Sequence, residues 1–297
     1  MSVRAARWRD VLKDYVMLTK PRIISLLLLT TLVPMLIARE GAVDWALIVW
    51  TLLGGALAAG GAGAINMYLD RDIDAIMSRT RQRPVPTNRV SPLRALVFGL
   101  VLNLLAFVVL WWAANLLAAV LAMIGTVYYV LIYTRWLKRT TPHNIVIGGA
   151  AGAIPPLVGW AAVTNNIGVE AIFLFAIIFY WTPPHFWALA LLRRNEYARA
   201  GIPMLPVVQG DAETKWQILL YTLLMLAITL VLTPLGLAGP VYFVCAAILG
   251  AIFLRDAYRV YRDSETKFAW RLYKYSLLYL ALLFGALVLD HWVMQLV

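Results

Sequence analysis

Asn66-Met-Tyr-Leu-Asp70-Arg71-Asp72-Ile-Asp74-Ala-Ile-Met-Ser-Arg79-Thr-Arg81-Gln-Arg83-Pro84 closes a long apolar run rich in glycine and alanine, and its reading decides the fold. Residues four apart on a helix share a face, so Asn66, Asp70 and Asp74 form one stripe about 12 Å long at ~1.5 Å rise per residue. Asp72 points elsewhere. Oxygen donors in a row suit a hard cation such as Mg²⁺, which takes one or two carboxylates and keeps positions for water and phosphate. The arginines that follow supply fork-shaped donors for phosphate oxygens. Acid for a metal beside base for a phosphate points to a diphosphate site. The competing reading is a solvated, self-neutralising loop. The four-residue spacing and the position at the end of an apolar run favour the site.

Working outward, 62% of the 297 residues are apolar, 14% are charged and the mean hydropathy is +0.78. A soluble domain is about 45–50% apolar and ~25% charged, so this is a polytopic, all-α membrane protein. Two regions are expected: a cytoplasmic N-terminal segment, 1–22, and a single transmembrane domain, 23–297. No cleavable signal is evident at the N-terminus. Trp8, Val11, Leu12 and Tyr15 have roughly helical spacing, which predicts a segment lying along the membrane surface. Cys245 is the single cysteine, sits in an apolar run and reads as a small buried filler.

A span needs about 20 apolar residues. Nine are predicted, at 23–38, 45–66, 94–113, 116–134, 144–163, 170–191, 216–233, 240–255 and 272–290. The run 95–134 is too long for one span and divides at Trp111-Trp112-Ala-Ala-Asn115, where interfacial aromatics and an asparagine mark a hairpin. With nine spans, every Lys and Arg except Arg39 falls on one side of the membrane. The opposite loops at 164–168 and 233–240 carry none. By the positive-inside rule the N-terminus is cytoplasmic and the C-terminus outside. The net charge of +11 is therefore a record of topology, and nucleic acid is not needed to explain it. The loops at 70–93 and 192–215 follow spans two and six and read as a diverged internal repeat.

Two further stretches carry chemistry. Trp181-Thr-Pro183-Pro184-His185-Phe-Trp187 leads into Arg193-Arg194-Asn195-Glu196-Tyr197. Two prolines inside a span predict a kink or an opening onto a cavity. His185 is an ionisable residue within a span, which is a functional hypothesis by default; a bundle-facing histidine satisfying a freed carbonyl is the alternative. Glu196 with Arg193 and Arg194 is a lesser copy of the first cluster, and by itself fits a solvated loop as well. The second stretch is Tyr133-Thr-Arg135-Trp-Leu-Lys138-Arg139-Thr-Thr-Pro142-His143-Asn144, whose cations serve either as topological anchors or as diphosphate ligands. The dense Gly and Ala at 54–64 and 148–153 are assigned to close helix packing.

Asn66-x₃-Asp70-x₃-Asp74, followed by Met77-x-Arg79-Thr80-x₂-Arg83-Pro84, resembles the first aspartate-rich motif of the UbiA-type intramembrane prenyltransferases. Tyr133-Thr-x₂-Leu137-Lys138-Arg139, Pro142-His143-Asn144, Trp181-Thr-Pro-Pro-His185-Phe-Trp187 and Gly201-Ile-Pro-Met-Leu-Pro-Val-Val208 resemble, within that superfamily, the protohaem IX farnesyltransferase (haem O synthase) family. The similarity runs from about residue 15 to the C-terminus. The resemblance implies nine helices around a central cavity capped by cytoplasmic loops, in the cell (plasma) membrane. It implies transfer of a farnesyl group from farnesyl diphosphate to a vinyl group of haem b, with water added, giving haem O and diphosphate for haem-copper oxidase assembly. Mg²⁺ is the implied metal, and haem A synthase or oxidase assembly factors are implied partners. By the same resemblance Asn66, Asp70 and Asp74 hold Mg²⁺–diphosphate. Arg79, Arg83, Lys138, Arg139, Arg193 and Glu196 fall to the diphosphate, His185 to haem, and Arg81 and Arg89 to haem propionates. The second motif departs from the wider superfamily: Glu196 stands where an aspartate is usual and Ala200 holds the position four residues on. A second carboxylate-bound Mg²⁺ is thereby put in doubt.

Three other readings compete. A transporter calls for ionisable residues at mid-membrane, whereas all fifteen acids fall in loops or at predicted span ends. A scaffold protein of the oxidase leaves the aspartate stripe unexplained. An aromatic-ring polyprenyltransferase of quinone biosynthesis shares the first motif but not the Pro-Pro-His-Phe-Trp stretch.

Overall fold

A computed structural model of the chain describes residues 3–38, 44–263, 265 and 267–296; Arg39 lies outside them. The described residues hold no strand. That follows from the solvent: lipid offers the backbone no hydrogen-bond partner, so each apolar run satisfies its own amides as a helix. In chain order the helices are α1 (Val3–Thr19), α2 (Pro21–Ile37), α3 (Trp45–Leu69), the short α4 (Arg71–Ile76), α5 (Pro92–Ala113) and α6 (Leu116–Val127). A π-helical segment (Tyr128–Leu137) and a last turn α7 (Lys138–Thr140) extend α6. Then come α8 (Asn144–Ala153), α9 (Pro155–Thr164), α10 (Val169–Leu192), the short α11 (Arg194–Arg199) and α12 (Leu205–Val208), α13 (Gly210–Val231), α14 (Pro240–Arg262) and α15 (Lys267–Leu296).

Eight helical stretches are long and apolar enough to cross a membrane alone, with Leu116–Thr140 and Asn144–Thr164 each counting as one. The ninth span differs from expectation. α2 has 17 residues and reaches spanning length only with Trp8–Thr19 of α1, across a 48° bend at Lys20. The stretch expected to lie along the surface is thus half of a bent pair. Trp8, Val11, Leu12 and Val16 are exposed on it. The eighth span is also longer than expected, 23 residues instead of 16, because α14 continues to Arg262. Asp256, expected just past a span, consequently sits inside α14, and Asp290, expected at a span end, lies inside α15, which runs on to Leu296. Asp290 accepts hydrogen bonds from the Gly239 and Tyr242 amides, so it caps α14 from a neighbouring helix and has a structural task. α10 stays helical through Pro183 and Pro184.

The hairpin at residues 111–115 stands where it was expected. Asn115 caps α6 by accepting from the Ala118 amide at 2.9 Å, and its own amide donates to the Ala161 carbonyl of α9 at 2.7 Å. Small residues set the spacing between α3 and α5. A Cβ on Gly61 would lie 2.6 Å from the Gly99 carbonyl, and one on Gly99 would lie 2.7 Å from the Gly61 carbonyl. The two backbones touch, which is what a glycine pair permits. Gly159 gives α9 the same approach to Thr31 of α2. Packing then runs from α10 to α13, α14, α15 and back to α2, with α10 also against α15. The short α4 and α11 each follow a long helix, α3 and α10.

Candidate active site

α3 delivers the stripe as one buried face. Asn66 lies in its last turn, Asp70 at its C-cap and Asp74 in α4, and all three are at most 3% exposed. Three buried polar groups at the end of an apolar helix need partners, and each has a different cation. Lys20 Nζ donates to Asn66 Oδ1 at 2.5 Å, and Lys138 Nζ donates to Asp70 Oδ2 at 2.5 Å. Arg83 Nη1 donates to both oxygens of Asp74, at 2.9 and 2.7 Å, a charge-assisted contact made by one nitrogen. Asn66 Nδ2 completes the row by donating to Asp70 Oδ2 at 2.8 Å and to Thr134 Oγ1 at 3.0 Å.

Lys20 and Thr134 were not among the expected site residues. Lys20 stands at the bend between α1 and α2 with φ 57° and ψ 57°, a left-handed conformation that costs a non-glycine residue free energy. Gly63 makes room there, its absent Cβ falling 3.1 Å from the Leu18 carbonyl and 3.6 Å from Lys20 Cδ. Such strain clusters at functional positions. Thr134 belongs to the π-helical segment, an element rare enough to be noted wherever it sits at a site. The wider turn re-aims the helix end, so that Thr134 faces Asn66 while Lys138 and Arg139 reach Asp70 and Asp72. The sequence carried one signal for Lys20, its place just before Pro21, and none for the π turn.

Arg139 is divided. It binds both oxygens of Asp72 at 2.7 and 2.8 Å, donates to the Leu69 carbonyl and lies 3.7 Å from Asp70 Oδ1. The Arg139 guanidinium pulls the Asp72 carboxyl down to about 2. Asp72 points away from the stripe as expected, yet it anchors a residue assigned to diphosphate. Arg79 and Arg81 are exposed. Arg89 is committed elsewhere: it pairs with Asp14 of α1 at 3.0 Å and donates to the Gln82 carbonyl.

The second cluster meets the first. Arg193 binds Glu196 Oε1 at 2.7 Å, while Glu196 Oε2 is buried without a partner. Ser78, beside it from the first loop, and then the Arg193 guanidinium hold the Glu196 carboxyl below the usual glutamate range. Arg193, Glu196, Arg194 and Asp211 line a polar cleft of about 460 Å³.

His185 is 6% exposed on α10. Its ring stacks on Trp181 at 4.4 Å and on Tyr273 at 4.8 Å, and Nδ1 lies 2.6 Å from Ser276 Oγ. It satisfies no freed helix carbonyl among the hydrogen bonds of the described residues.

The stripe's donor set suits a divalent metal. Asn66 and Asp70 are hydrogen-bonded side by side, and Asp70 Oδ1 is buried with no hydrogen-bond partner. No group of three or more His, Cys, Asp or Glu gathers among the described residues.

Residues 27–287 match the sequence profile of the UbiA prenyltransferase family. A protein called protoheme IX farnesyltransferase from Chloroflexus aurantiacus is 56% identical over 95% of this chain, and one from Roseiflexus castenholzii 57% over 95%. The chain spans about half the length of these curated relatives, 48% and 52%. A protein of the same name from Symbiobacterium thermophilum is 51% identical over 95% of both chains. Among solved structures, one titled for digeranylgeranylglyceryl phosphate synthase superposes with a TM-score of 0.79 at 17% identity, covering 95% of this chain and 99% of that one. A UbiA homologue from Archaeoglobus fulgidus, bound to GPP and Mg²⁺, gives 0.68 at 15% identity, covering 92% and 99%. These structures share the fold.

Proposed function

The chain belongs to the UbiA prenyltransferase family, and from that premise we propose that it transfers the farnesyl group of farnesyl diphosphate to a vinyl group of haem b, with water added, giving haem O and diphosphate. The observation that carries a diphosphate substrate is the buried Asn66–Asp70–Asp74 face with a separate cation on each member. The haem acceptor rests on the name shared by relatives more than half identical along the chain. No feature of the site favours the quinone-ring alternative.

The oxygens of Asn66, Asp70 and Asp74 would hold Mg²⁺, which when bound supplies positive charge to the leaving diphosphate. Lys20, Lys138 and Arg83 already stand on those oxygens. Arrival of the substrate would hand each cation from its side-chain oxygen to a phosphate oxygen, so charge is placed where it develops in the transition state. Arg79 from the first loop, Arg139 from α7, and Arg193 and Glu196 from the second loop complete the anion's surroundings. With the diphosphate neutralised, the allylic C–O bond ionises and its electron pair leaves on the phosphate oxygen. The vinyl π electrons of haem close a new C–C bond to the farnesyl carbon. The resulting cation, delocalised into the macrocycle, takes water and releases a proton. No protein nucleophile is required; the chain aligns the partners and keeps water from the first cation. His185 contacts haem. The basic end of the bundle faces the cytoplasm of a plasma membrane, as the charge asymmetry of its loops argues.

The test is a pigment assay. The chain is expressed in a haem-replete bacterium lacking its own haem farnesylation, and extracted haems are separated by reversed-phase chromatography with mass detection. A haem heavier by one farnesyl group plus water, absent with Asp70→Asn, is expected. Unchanged haem b from folded, membrane-inserted protein would overturn the reading.

A further inference from the structure

We infer that Ser276 of α15 is a positioning residue that holds His185 in one tautomer and presents an Nε2 lone pair to the iron of the haem substrate. The inference rests on the reading above that His185 contacts haem, and it adds the atom used and the group that selects it.

The Ser276 hydroxyl has one proton, and it lies on the Tyr273 carbonyl one turn back, at 2.7 Å. A hydroxyl that has donated has only lone pairs left. The 2.6 Å contact with His185 Nδ1 is therefore an N–H donated to Ser276 Oγ, so Nδ1 carries the proton and Nε2 is bare. The tautomer of a histidine is set in this way by the bond its other nitrogen makes. Ser276 is itself held: its backbone carbonyl accepts from Trp181 Nε1 at 2.8 Å, tying α15 to α10 one turn before His185.

The surroundings say how a ligand can use this ring. Trp181 and Tyr273 stack at interplanar angles of 17° and 25°, and Phe186 meets the ring edge-on at 88°. With stacking partners in place, a porphyrin plane has no direct route to a face of the imidazole. The Nδ1 edge is closed by Ser276. What remains is Nε2, which makes no hydrogen bond among the described residues. A fixed, unprotonated imidazole nitrogen is a ligand for a metalloporphyrin iron. A partner on the far nitrogen both orients such a ligand and raises its basicity, and loss of one typically costs 10–100-fold in affinity.

Two measurements separate the parts. The chain has three histidines, His143, His185 and His291, so ¹⁵N-histidine spectra of the full-length protein in lipid nanodiscs are assignable with His143→Gln and His291→Gln. The His185 signal should show a protonated Nδ1 and a bare Nε2 without haem. Ser276→Ala should move it toward the Nε2–H form, and Ser276→Thr should restore it. An Nε2–H tautomer in the wild type overturns the inference outright. In the second measurement ferric haem b is titrated optically. Wild type should give a nitrogen-ligated Soret band that His185→Ala abolishes. Ser276→Ala should weaken binding about 10-fold with unchanged KM for farnesyl diphosphate, and Ser276→Thr should recover it. A nitrogen-ligated band that survives His185→Ala removes the haem reading of His185. A band lost with His185→Ala but unmoved in Ser276→Ala keeps that reading and removes Ser276. Ser276→Cys, nearly isosteric and a weak acceptor, serves where the alanine variant does not fold.

Discussion

Asp70→Asn removes a charge from the middle of the stripe with little change of shape. Asp70 and Lys138 have side-chain exposures of 1% and 14% and lie 2.5 Å apart. At that distance and an effective dielectric near 20, their Coulomb attraction is roughly 7 kcal/mol before desolvation is subtracted. Stranding one member of a buried pair costs about 3–5 kcal/mol. Asparagine keeps an acceptor for Lys138, so the lower figure of about 3 kcal/mol applies, read as a clear fall in apparent Tm. The catalytic loss is separate. Removing one preorganised electrostatic contact at a reacting centre costs on the order of 10²–10³ in kcat, and Asp70 would serve both metal and cations, so at least the upper figure is expected. Turnover is measured as haem O formed by protein in nanodiscs. Adding Lys138→Met to Asp70→Asn removes the stranded cation and should recover most of the lost Tm while turnover stays absent, the non-additivity of coupled neighbours. Retention of more than about a tenth of wild-type turnover by Asp70→Asn would sink the site assignment. A double variant no more stable than the single one would show that the ion pair is not what holds this end of α3.

Three other outcomes follow from the same geometry. Chelation of divalent metal should stop haem O formation and added Mg²⁺ should restore it; full activity in excess chelator would remove Asn66, Asp70 and Asp74 as metal ligands. Gly99→Ala would set a Cβ 2.7 Å from the Gly61 carbonyl and 2.6 Å from Ile65 Cγ1, whereas a Cβ at Gly285 meets nothing within 4 Å. Thermal unfolding should therefore show a loss of about 1–3 kcal/mol for Gly99→Ala and little change for Gly285→Ala, and equal effects would refute the close α3–α5 crossing. Arg139 holds Asp72 at about 2, below its ordinary 3.8. A carboxyl depressed by folding contributes its full stability above about pH 4 and loses it as pH falls toward 2. Asp72 is 60% exposed, so the amount is under about 1 kcal/mol. Between pH 5 and pH 3 the apparent Tm of wild type should drop slightly more than that of Arg139→Gln, and parallel curves would count against the pairing.

Much of this was legible in the sequence because lipid leaves a chain few choices. A run such as 170–191 must become a helix to satisfy its own backbone, and a basic residue must stay where water is. Spans, the hairpin at Asn115 and the sidedness of Lys and Arg follow from local composition. The Asn66–Asp70–Asp74 stripe follows from helical period. The pairing of those side chains does not. Lys20 with Asn66, Lys138 with Asp70 and His185 with Ser276 join residues 46, 68 and 91 positions apart, and composition says nothing about how far one helix is rotated against another. The wide turn at Tyr128–Leu137 has no sequence signature of its own, and the left-handed Lys20 is marked only by its place before Pro21. They exist because packing around Gly63 and the buried Asn66 repays the strain, and only the tertiary structure brings those costs and gains together. Hydropathy and period thus determined that an acidic stripe ends a buried helix; the rotation of α15, α2 and the π-helical segment against α3 and α10 decided which group answers each acid, and which nitrogen of His185 is left bare.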